Sequence, residues 1–266
     1  MLYRTDYHIH TSFSDGKASP EEYISHAISA GLNEIGFSEH LNLGVPGQAW
    51  CMDPGRVNEF ISKIREVAKK NTDLKIRTGL EVDYFSGKEE LIYDFLRDLD
   101  LDYVIGSVHY LGEKSVDNSP EFYENRDIDE IWESYFSKVY EAIESGLFDI
   151  IGHIDLVRIY NFKPAGDPEK HYIRLAEKLK LHDVAMEINT NGRNRPLGDF
   201  YPDRRFLRVF CERNVDICVN SDAHFPARVG QYFDEAYKLL KESGFTQMAV
   251  FSKREKYMVP ADFTVL

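Results

Sequence analysis

The chain has 266 residues, of which 43% are hydrophobic and 29% are charged, and its formal net charge is −13 at pH 7. This length allows one large domain or two small ones, with enough residues to bury a sizeable core. The sequence contains no run of about 18 or more apolar residues, which argues against a membrane-spanning helix, and the negative charge argues against a broad nucleic-acid footprint.

Seven short, mostly apolar segments are predicted to be strands, and amphipathic helical patterns lie between them. In chain order the strands are YRTDYHI, NEIGFSE, KIRTGLEV, DYVIGSVH, FDIIGHI, VAMEIN and DICVNSD. The first helix has a clear start, since Ser19 can cap it, Pro20 suits its first position and Glu22 completes a capping box. Strand–helix alternation repeated about seven times indicates a parallel α/β barrel or a doubly wound sheet. With no linker or low-complexity tract dividing the chain, we expect one domain, residues 1–266.

Residues of the kinds that bind metals stand at or just after the carboxyl ends of six of the seven predicted strands. They are His8, His10, Asp15, His40, Glu81, His109, His153, Asp222 and His224. In a parallel barrel these strand ends converge on one face, where active sites form. Residues two apart on a strand point to the same side, so His8 and His10 can reach one ion, as can Asp222 and His224.

A single histidine or acid at a strand end is more often structural than catalytic, and each of these residues could be explained in that way. Yet six of the nine histidines fall at strand ends, whereas the other three, His26, His171 and His182, fall in helical patterns. A polynuclear metal site explains this distribution better than coincidence. Nine candidate ligands exceed the four or so that one zinc ion needs, and mixed imidazole and carboxylate ligands favour zinc, manganese or iron.

The three cysteines, Cys51, Cys211 and Cys218, share no CxxC spacing. Their small, odd number favours a reducing compartment and argues against a disulfide framework or a cysteine zinc site. The first residues, MLYRTDYHIH, also lack the basic and apolar regions of a secretory signal. We therefore expect a cytoplasmic protein.

Six motifs, in the order DYHIHTSFSDG, FSEH, GLEVDYF, GSVHYL, GHIDLV and NSDAH, resemble those of the PHP (polymerase and histidinol phosphatase) family along nearly the whole chain. The segments GLEVDYFSG, GSVHYLG and EINTNG resemble its stand-alone histidinol-phosphatase branch in particular. The resemblance implies a distorted (β/α)7 TIM-like barrel with three divalent metal ions at the carboxyl ends of the strands. It also implies hydrolysis of L-histidinol phosphate to L-histidinol and phosphate, a step of histidine biosynthesis.

The resemblance implies a division of the nine ligands among three ions, whose identity it leaves open among zinc, manganese and iron. The first ion would be held by His8, His10, Glu81 and Asp222. The second would share Glu81 as a bridging ligand and would also be held by His109 and His153. The third would be held by Asp15, His40 and His224.

Closely spaced metal ions can generate a hydroxide near neutral pH, clamp phosphoryl oxygens and stabilise a leaving alkoxide. We therefore expect a metal-bound hydroxide to attack phosphorus in line, without a covalent protein intermediate. Asp15 or His224 could pass a proton to the leaving group, and the sequence does not decide between them.

Arginine suits phosphate because its planar fork matches the geometry of the phosphoryl oxygens. Arg158, Arg193 and Arg195 follow predicted strands on the metal face and are the candidates for substrate binding, although each could equally be a solvated surface residue. The segment departs from the family at Asn194, where a basic residue is common, so the register of the basic group stays open. Trp50, in the long loop after His40, could cover the substrate or simply pack within its loop.

Three other functions remain open at this level. A PHP phosphoesterase acting on another small phosphate, such as a nucleotide, would keep every metal ligand and differ in its loops. A metal-dependent amidohydrolase also has an HxH motif, but it normally bridges its metals with a lysine rather than a glutamate such as Glu81. A non-catalytic PHP module would be expected to have lost ligands, whereas all nine are present. The sequence leaves the oligomeric state open.

Overall fold

The computed structural model describes residues 2–261 and residue 263. Its strands are β1 (Thr5–Asp6), β2 (Glu34–Leu41), β3 (Lys75–Asp83), β4 (Tyr103–Ser107), β5 (Tyr110–Leu111), β6 (Lys114–Ser115), β7 (Ile150–Ile151), β8 (Ala185–Asn189), β9 (Ile217–Asn220), β10 (Gln247–Ser252) and β11 (Glu255–Pro260). Its helices are α1 (Pro20–Ser29), α2 (Val57–Lys70), α3 (Glu89–Leu96), α4 (Ile128–Glu144), α5 (Glu169–His182), α6 (Leu207–Glu212) and α7 (Phe233–Ser243). Seven strands form one parallel sheet in the order β1-β2-β3-β4-β7-β8-β9.

The first and last strands of this sheet lie side by side and nearly close it into a barrel. Just beyond β1, Ile9 forms a parallel bridge with Ala223, and the backbone N–H of Ala223 donates to the carbonyl of His8 at 3.0 Å. The side chain of Asn220 accepts a hydrogen bond from the backbone of Tyr7 at 2.8 Å. The predicted seven-stranded parallel barrel is therefore confirmed, and the alternative of an open doubly wound sheet is wrong.

The helices cover the barrel because each has one apolar face. In α2 the buried residues recur at helical spacing, at Val57, Phe60, Ile61, Ile64 and Val67. The predicted start of α1 is confirmed, since the backbone N–H of Ser19 donates to Glu22 at 2.8 Å within a complete capping box. Burial of such faces against the sheet places the polar strand ends at the rim of the barrel.

A hairpin of β10 and β11 covers the other end of the barrel, where the strands begin. Phe251 of β10 is buried against Tyr7 and Tyr103. The backbone N–H of Arg254, in the turn, donates to the carbonyl of Asp102, the residue before β4, at 2.9 Å. This hairpin was not predicted from the sequence; it shields the amino ends of the strands and leaves their carboxyl ends as the accessible face.

Two strands are much shorter than predicted. β1 ends at Asp6 and β7 ends at Ile151, so His8, His10 and His153 lie just beyond regular strand pairing. At His153 the backbone has a positive φ of 20°, which no regular strand allows.

None of the helices in the described part of the chain is both long and apolar enough to cross a membrane.

Candidate metal centre

The nine residues singled out in the sequence meet on the face formed by the carboxyl ends of the barrel strands. His8, His10, His40, Glu81, His109 and His153 are buried, and Asp222 is 9% exposed. Asp15 and His224, which lie in the loops after β1 and β9, are partly exposed. The side chains thus form a mostly buried polar cluster, which solvent reaches on the side of Asp15 and His224.

Two histidines and two carboxylates form the first group. His8 Nε2 lies 3.2 Å from Glu81 Oε2 and 3.9 Å from Asp222 Oδ1. His10 Nε2 lies 3.5 Å from each of the same two oxygens. Two ligands bound to one tetrahedral zinc ion at about 2.1 Å would be separated by roughly 3.4 Å. The distances between the ligand atoms of this group are therefore close to those expected around one bound ion.

Glu81 lies at the centre of the cluster and contacts histidines on several strands. Its Oε1 is 3.0 Å from His153 Nε2 and 3.7 Å from His109 Nε2. Its Oε2 is 2.6 Å from His40 Nδ1. The hydroxyl of Ser107 donates to Oε1 at 2.6 Å, which fixes the orientation of the carboxylate. A carboxylate in this position can bridge two ions.

The third group lies nearer the solvent. Asp15 Oδ1 is 3.2 Å from His224 Nε2 and 3.7 Å from His40 Nε2. His10 also joins this group, since all four residues can place ligand atoms within 4.8 Å of one another, and its ring stacks on that of His40 with centroids 4.0 Å apart. The structure therefore brings together every residue that the resemblance assigned to the third ion.

Several buried polar atoms in the cluster have no hydrogen-bond partner in the described part of the chain. They are His8 Nε2, both ring nitrogens of His10, Asp15 Oδ1, Glu81 Oε2 and His153 Nδ1. Leaving such atoms unpaired in a protein interior costs free energy. Metal ions would bind most of these nitrogens and oxygens, so the residues present fit the group that the resemblance implies.

The ionisation states of Glu81, Asp222 and His10 also suit the binding of cations. Burial acts to raise the pKa of the Glu81 carboxyl, but the neighbouring His40 and His8 hold that pKa well below its usual range. Burial opposes ionisation of Asp222 in the same way, and His8 is the largest of the neighbours that keep its pKa well below the ordinary value. Burial, with His40 beside it, lowers the pKa of His10 to about 3. These ionised carboxylates and the neutral His10 imidazole are forms that bind metal, whereas nearby carboxylates raise the pKa of His8 and His109 despite burial, so a bound ion would displace protons from those rings.

Two carboxylates behind the cluster orient its histidines. The Nδ1–H of His8 donates to Glu187 at 2.9 Å, and that of His109 donates to Asp83 at 2.7 Å. In each ring the Nε2 atom is thereby directed at Glu81, as is common for metal-bound histidines. The sequence did not indicate the role of Glu187, although an acid in the mostly apolar strand VAMEIN was a usable signal.

A cavity of about 330 Å³ opens above six of the nine residues. Its other walls include Trp50, Tyr201, Asp117 and Arg195. Trp50 packs edge-on against His40 with ring centroids 4.7 Å apart, so it forms part of the site rather than serving loop packing alone. The lining is mostly polar and charged, and Trp50, Leu156, Ile159 and Tyr201 supply its apolar and aromatic part.

The other two candidate arginines lie away from this cavity. Arg158 is buried, and its Nη1 donates to Asp155 at 2.9 Å and to the carbonyl of Phe200 at 3.1 Å. It borders a separate cavity of about 660 Å³, which is larger but is lined by none of the nine residues. Arg193 is paired with Glu235. The contacts therefore favour Arg195 among the three as the residue that meets a ligand at the metal centre.

A parallel barrel that gathers histidines and carboxylates beneath a small cavity defines a metal-dependent hydrolase. Residues 6–191 of the chain match the PHP domain family. The chain belongs to this family, and it is a metal-dependent phosphatase.

The chain is similar along most of its length to proteins with a defined activity. It is 35% identical over 246 residues to a probable histidinol-phosphatase from Deinococcus radiodurans, covering 90% of this chain and 93% of that one. It is 27% identical over 258 residues to the histidinol-phosphatase of Lactococcus lactis, covering 94% of each. A crystal structure of the L. lactis histidinol phosphate phosphatase, complexed with zinc, L-histidinol and phosphate, superposes with a TM-score of 0.85 and covers 97% of this chain and 100% of that one.

Proposed function

We propose that this protein is a histidinol-phosphatase, which hydrolyses L-histidinol phosphate to L-histidinol and phosphate in histidine biosynthesis. The observation that carries the proposal is the cluster of nine potential metal ligands, including His109 at 3.7 Å from Glu81, beneath a cavity that is also lined by Arg195 and Asp117. The similarity over nearly the full chain to histidinol-phosphatases supports it. In a small phosphate monoester with a cationic organic part, the phosphate would be complementary to Arg195 and the metal ions, and the cation would be complementary to Asp117.

We propose the division of ligands already described for three divalent ions. His8, His10, Glu81 and Asp222 would hold the first, Glu81, His109 and His153 the second, and Asp15, His40 and His224 the third. When bound, the ions supply Lewis acidity that polarises the phosphoryl group, activates water and stabilises the charge of the leaving oxygen. Glu187 and Asp83 keep two of the histidine rings in the orientation that binding requires.

Asp15 and His224 are the candidates for moving the proton. Both side chains line the cavity, and Asp15 Oδ1 lies 3.2 Å from His224 Nε2. Hydrolysis of a phosphate monoester ends with protonation of the leaving alkoxide, which becomes the hydroxyl of the alcohol. The pair lies on the open side of the cluster, where the alcohol would leave.

Substrate recognition is assigned to residues at the mouth of the cavity. The Arg195 guanidinium is exposed and borders the cavity, where it can donate to phosphoryl oxygens not held by metal. Asp117 lines the same cavity and is not one of the nine; its carboxylate suits the ammonium or imidazole of histidinol. Trp50 and Tyr201 offer aromatic surface to the imidazole ring.

We further propose that residues 1–266 act as a single domain in the cytoplasm. Strand β9 lies beyond the residues that match the family, yet it adjoins β1 and completes the barrel. Cys51, Cys211 and Cys218 are all unpaired, which agrees with a reducing compartment.

The test of the proposed function is phosphate release from L-histidinol phosphate by protein loaded with zinc or manganese, with a nucleoside monophosphate assayed in parallel. We expect a strong preference for histidinol phosphate, because a nucleotide is larger and lacks an ammonium group for Asp117. Comparable or greater activity on the nucleotide would favour a different PHP phosphoesterase. Loss of phosphate release from both substrates after chelation would confirm that the reaction depends on metal.

Replacement of Arg195 by alanine should raise KM for the phosphate ester about 10- to 100-fold, because a hydrogen bond to a charged group contributes about 1.5–3 kcal/mol. Bound metal should stay at the wild-type level, since Arg195 is not one of the nine proposed ligands. Arg193→Ala is the matched control, because its guanidinium is paired with Glu235. Steady-state kinetics and metal analysis make the comparison, and an unchanged KM for the Arg195 variant would contradict the assignment.

A further inference from the structure

One buried carboxylate beside the metal centre has no role in the ligand set described above. Glu39 precedes His40 on β2 and is fully buried. Because neighbouring residues on a strand point to opposite faces, its side chain is directed away from the one that reaches the cluster. It points instead toward the loop that follows β1.

Both oxygens of this carboxylate accept hydrogen bonds from that loop. The backbone N–H of Thr11 donates to Oε1 at 2.9 Å and to Oε2 at 3.1 Å. The Thr11 hydroxyl donates to Oε1 at 2.7 Å, and the hydroxyl of Ser14 donates to Oε2. Burying a charged carboxylate is costly unless it is well paired, so these contacts hold residues 11–14 firmly against β2.

The turn held in this way carries Asp15, which belongs to the third ligand group. The backbone N–H of Ser14 donates to the carbonyl of Thr11 at 3.1 Å, which closes the turn just before Asp15. A side chain on Gly16 would bring its Cβ within 2.2 Å of the carbonyl oxygen of His10, so the loop is packed closely against the chain that bears the ligands. The position of Asp15 is therefore set by the contacts on either side of it.

We propose that Glu39 is a positioning residue, whose carboxylate fastens the Thr11–Ser14 turn to β2 and so places Asp15 to complete the third metal site with His40 and His224. The inference rests on the ligand assignment of the proposed function. It goes beyond that assignment by naming a residue that binds no ion and still determines whether one is retained. Glutamine cannot replace Glu39, since its amide nitrogen is a donor and would face the donors of the turn.

The test measures metal binding without substrate. Wild type and Glu39→Gln would be titrated with zinc in a chelating buffer, and bound metal would be counted by elemental analysis. We expect the wild type to bind three ions, and the variant to bind one of them about 10- to 100-fold more weakly while holding the other two at wild-type affinity. The turnover number of the variant should fall over the same range, and its circular dichroism should stay unchanged.

Three further variants keep the test decisive, including the case in which Glu39→Gln folds poorly. Ser14→Ala removes a single donor to the carboxylate and should weaken the same ion to a smaller extent. In the double variant, Ser14→Ala should weaken binding of the third ion little beyond the effect of Glu39→Gln, because both substitutions remove the same contact between Ser14 and Glu39. Asp15→Ala removes a proposed ligand directly and so gives the reference value for metal binding when the third site is lost. Retention of three ions at wild-type affinity in Glu39→Gln would overturn the proposal, and, if that variant does not fold, the same result in Ser14→Ala would overturn it.

Because metal is counted without substrate, the result stands even if L-histidinol phosphate proves not to be hydrolysed. Failure of the phosphatase assay with normal metal binding would overturn the proposed function alone. Normal catalysis together with three tightly bound ions in Glu39→Gln would overturn the positioning role alone.

Discussion

Replacing Glu81 with alanine should reduce kcat/KM by about 10³-fold or more, since the ions supply several kcal/mol of transition-state stabilisation. Glu81 contacts five histidines of the cluster, namely His8, His10, His40, His109 and His153. Its loss removes a ligand from two of the three proposed sites at once. We therefore expect bound metal to fall together with activity, which elemental analysis and a phosphate-release assay would measure.

The barrel itself should survive this change, because Glu81 stands at the end of β3 rather than among the apolar side chains of the core. Glu90→Ala is a suitable control, since Glu90 is an exposed residue of α3 and should leave both activity and metal content unchanged. If Glu81→Ala bound metal normally and retained near wild-type turnover, the assignment of Glu81 as a bridging ligand would be wrong.

Replacing Arg158 with alanine should lower the free energy of unfolding by about 3–5 kcal/mol, because the buried carboxylate of Asp155 would lose the cation that pairs with it. Asp155 is fully buried and accepts hydrogen bonds from Arg158 at 2.9 Å, from the Tyr172 hydroxyl at 2.6 Å and from the backbone of Asp203 at 2.8 Å. Burial raises the pKa of Asp155, and Arg158 is the largest influence acting against that rise. Thermal and urea unfolding of the metal-loaded protein would measure the loss.

A double variant separates the ion pair from other effects. Asp155→Asn combined with Arg158→Met removes both charges and keeps apolar volume, so it should recover much of the stability lost in Arg158→Ala. The place of Arg158 in the sequence predicts that it binds phosphate, whereas its contacts indicate a structural role, and kinetics would decide between the two. A large rise in KM with unchanged stability would restore the role in substrate binding, and the reverse result would establish a structural one.

The amidohydrolase and the non-catalytic module, which the sequence left open, are not favoured. The chain belongs to the PHP family, and the proposed bridging ligand is Glu81 rather than a lysine. All nine potential ligands are gathered on one face, with carboxylates such as Glu187 orienting them from behind. A module without catalytic function would have no evident use for such an arrangement.

Much of the metal centre could be predicted because its ligands follow a local rule. Each stands near the end of a short apolar segment, and parallel strands bring their carboxyl ends to one face of a barrel. His8 and His10 needed nothing more than their spacing of two residues to indicate that they act together. The alternation of strands and helices therefore predicted a parallel α/β fold, and the motifs, through the family resemblance, predicted the barrel and the candidate ligands.

Tertiary structure alone decided the features that depend on partners distant in the chain. Glu187 lies 179 residues from the His8 ring that it orients, and the β10–β11 hairpin is buried by packing against Tyr7 and Tyr103. Arg158 and Arg195 look alike in sequence, yet one is held by Asp155 while the other faces the metal cavity. Periodicity predicts the face on which a side chain lies, whereas its partner is determined by how distant segments pack.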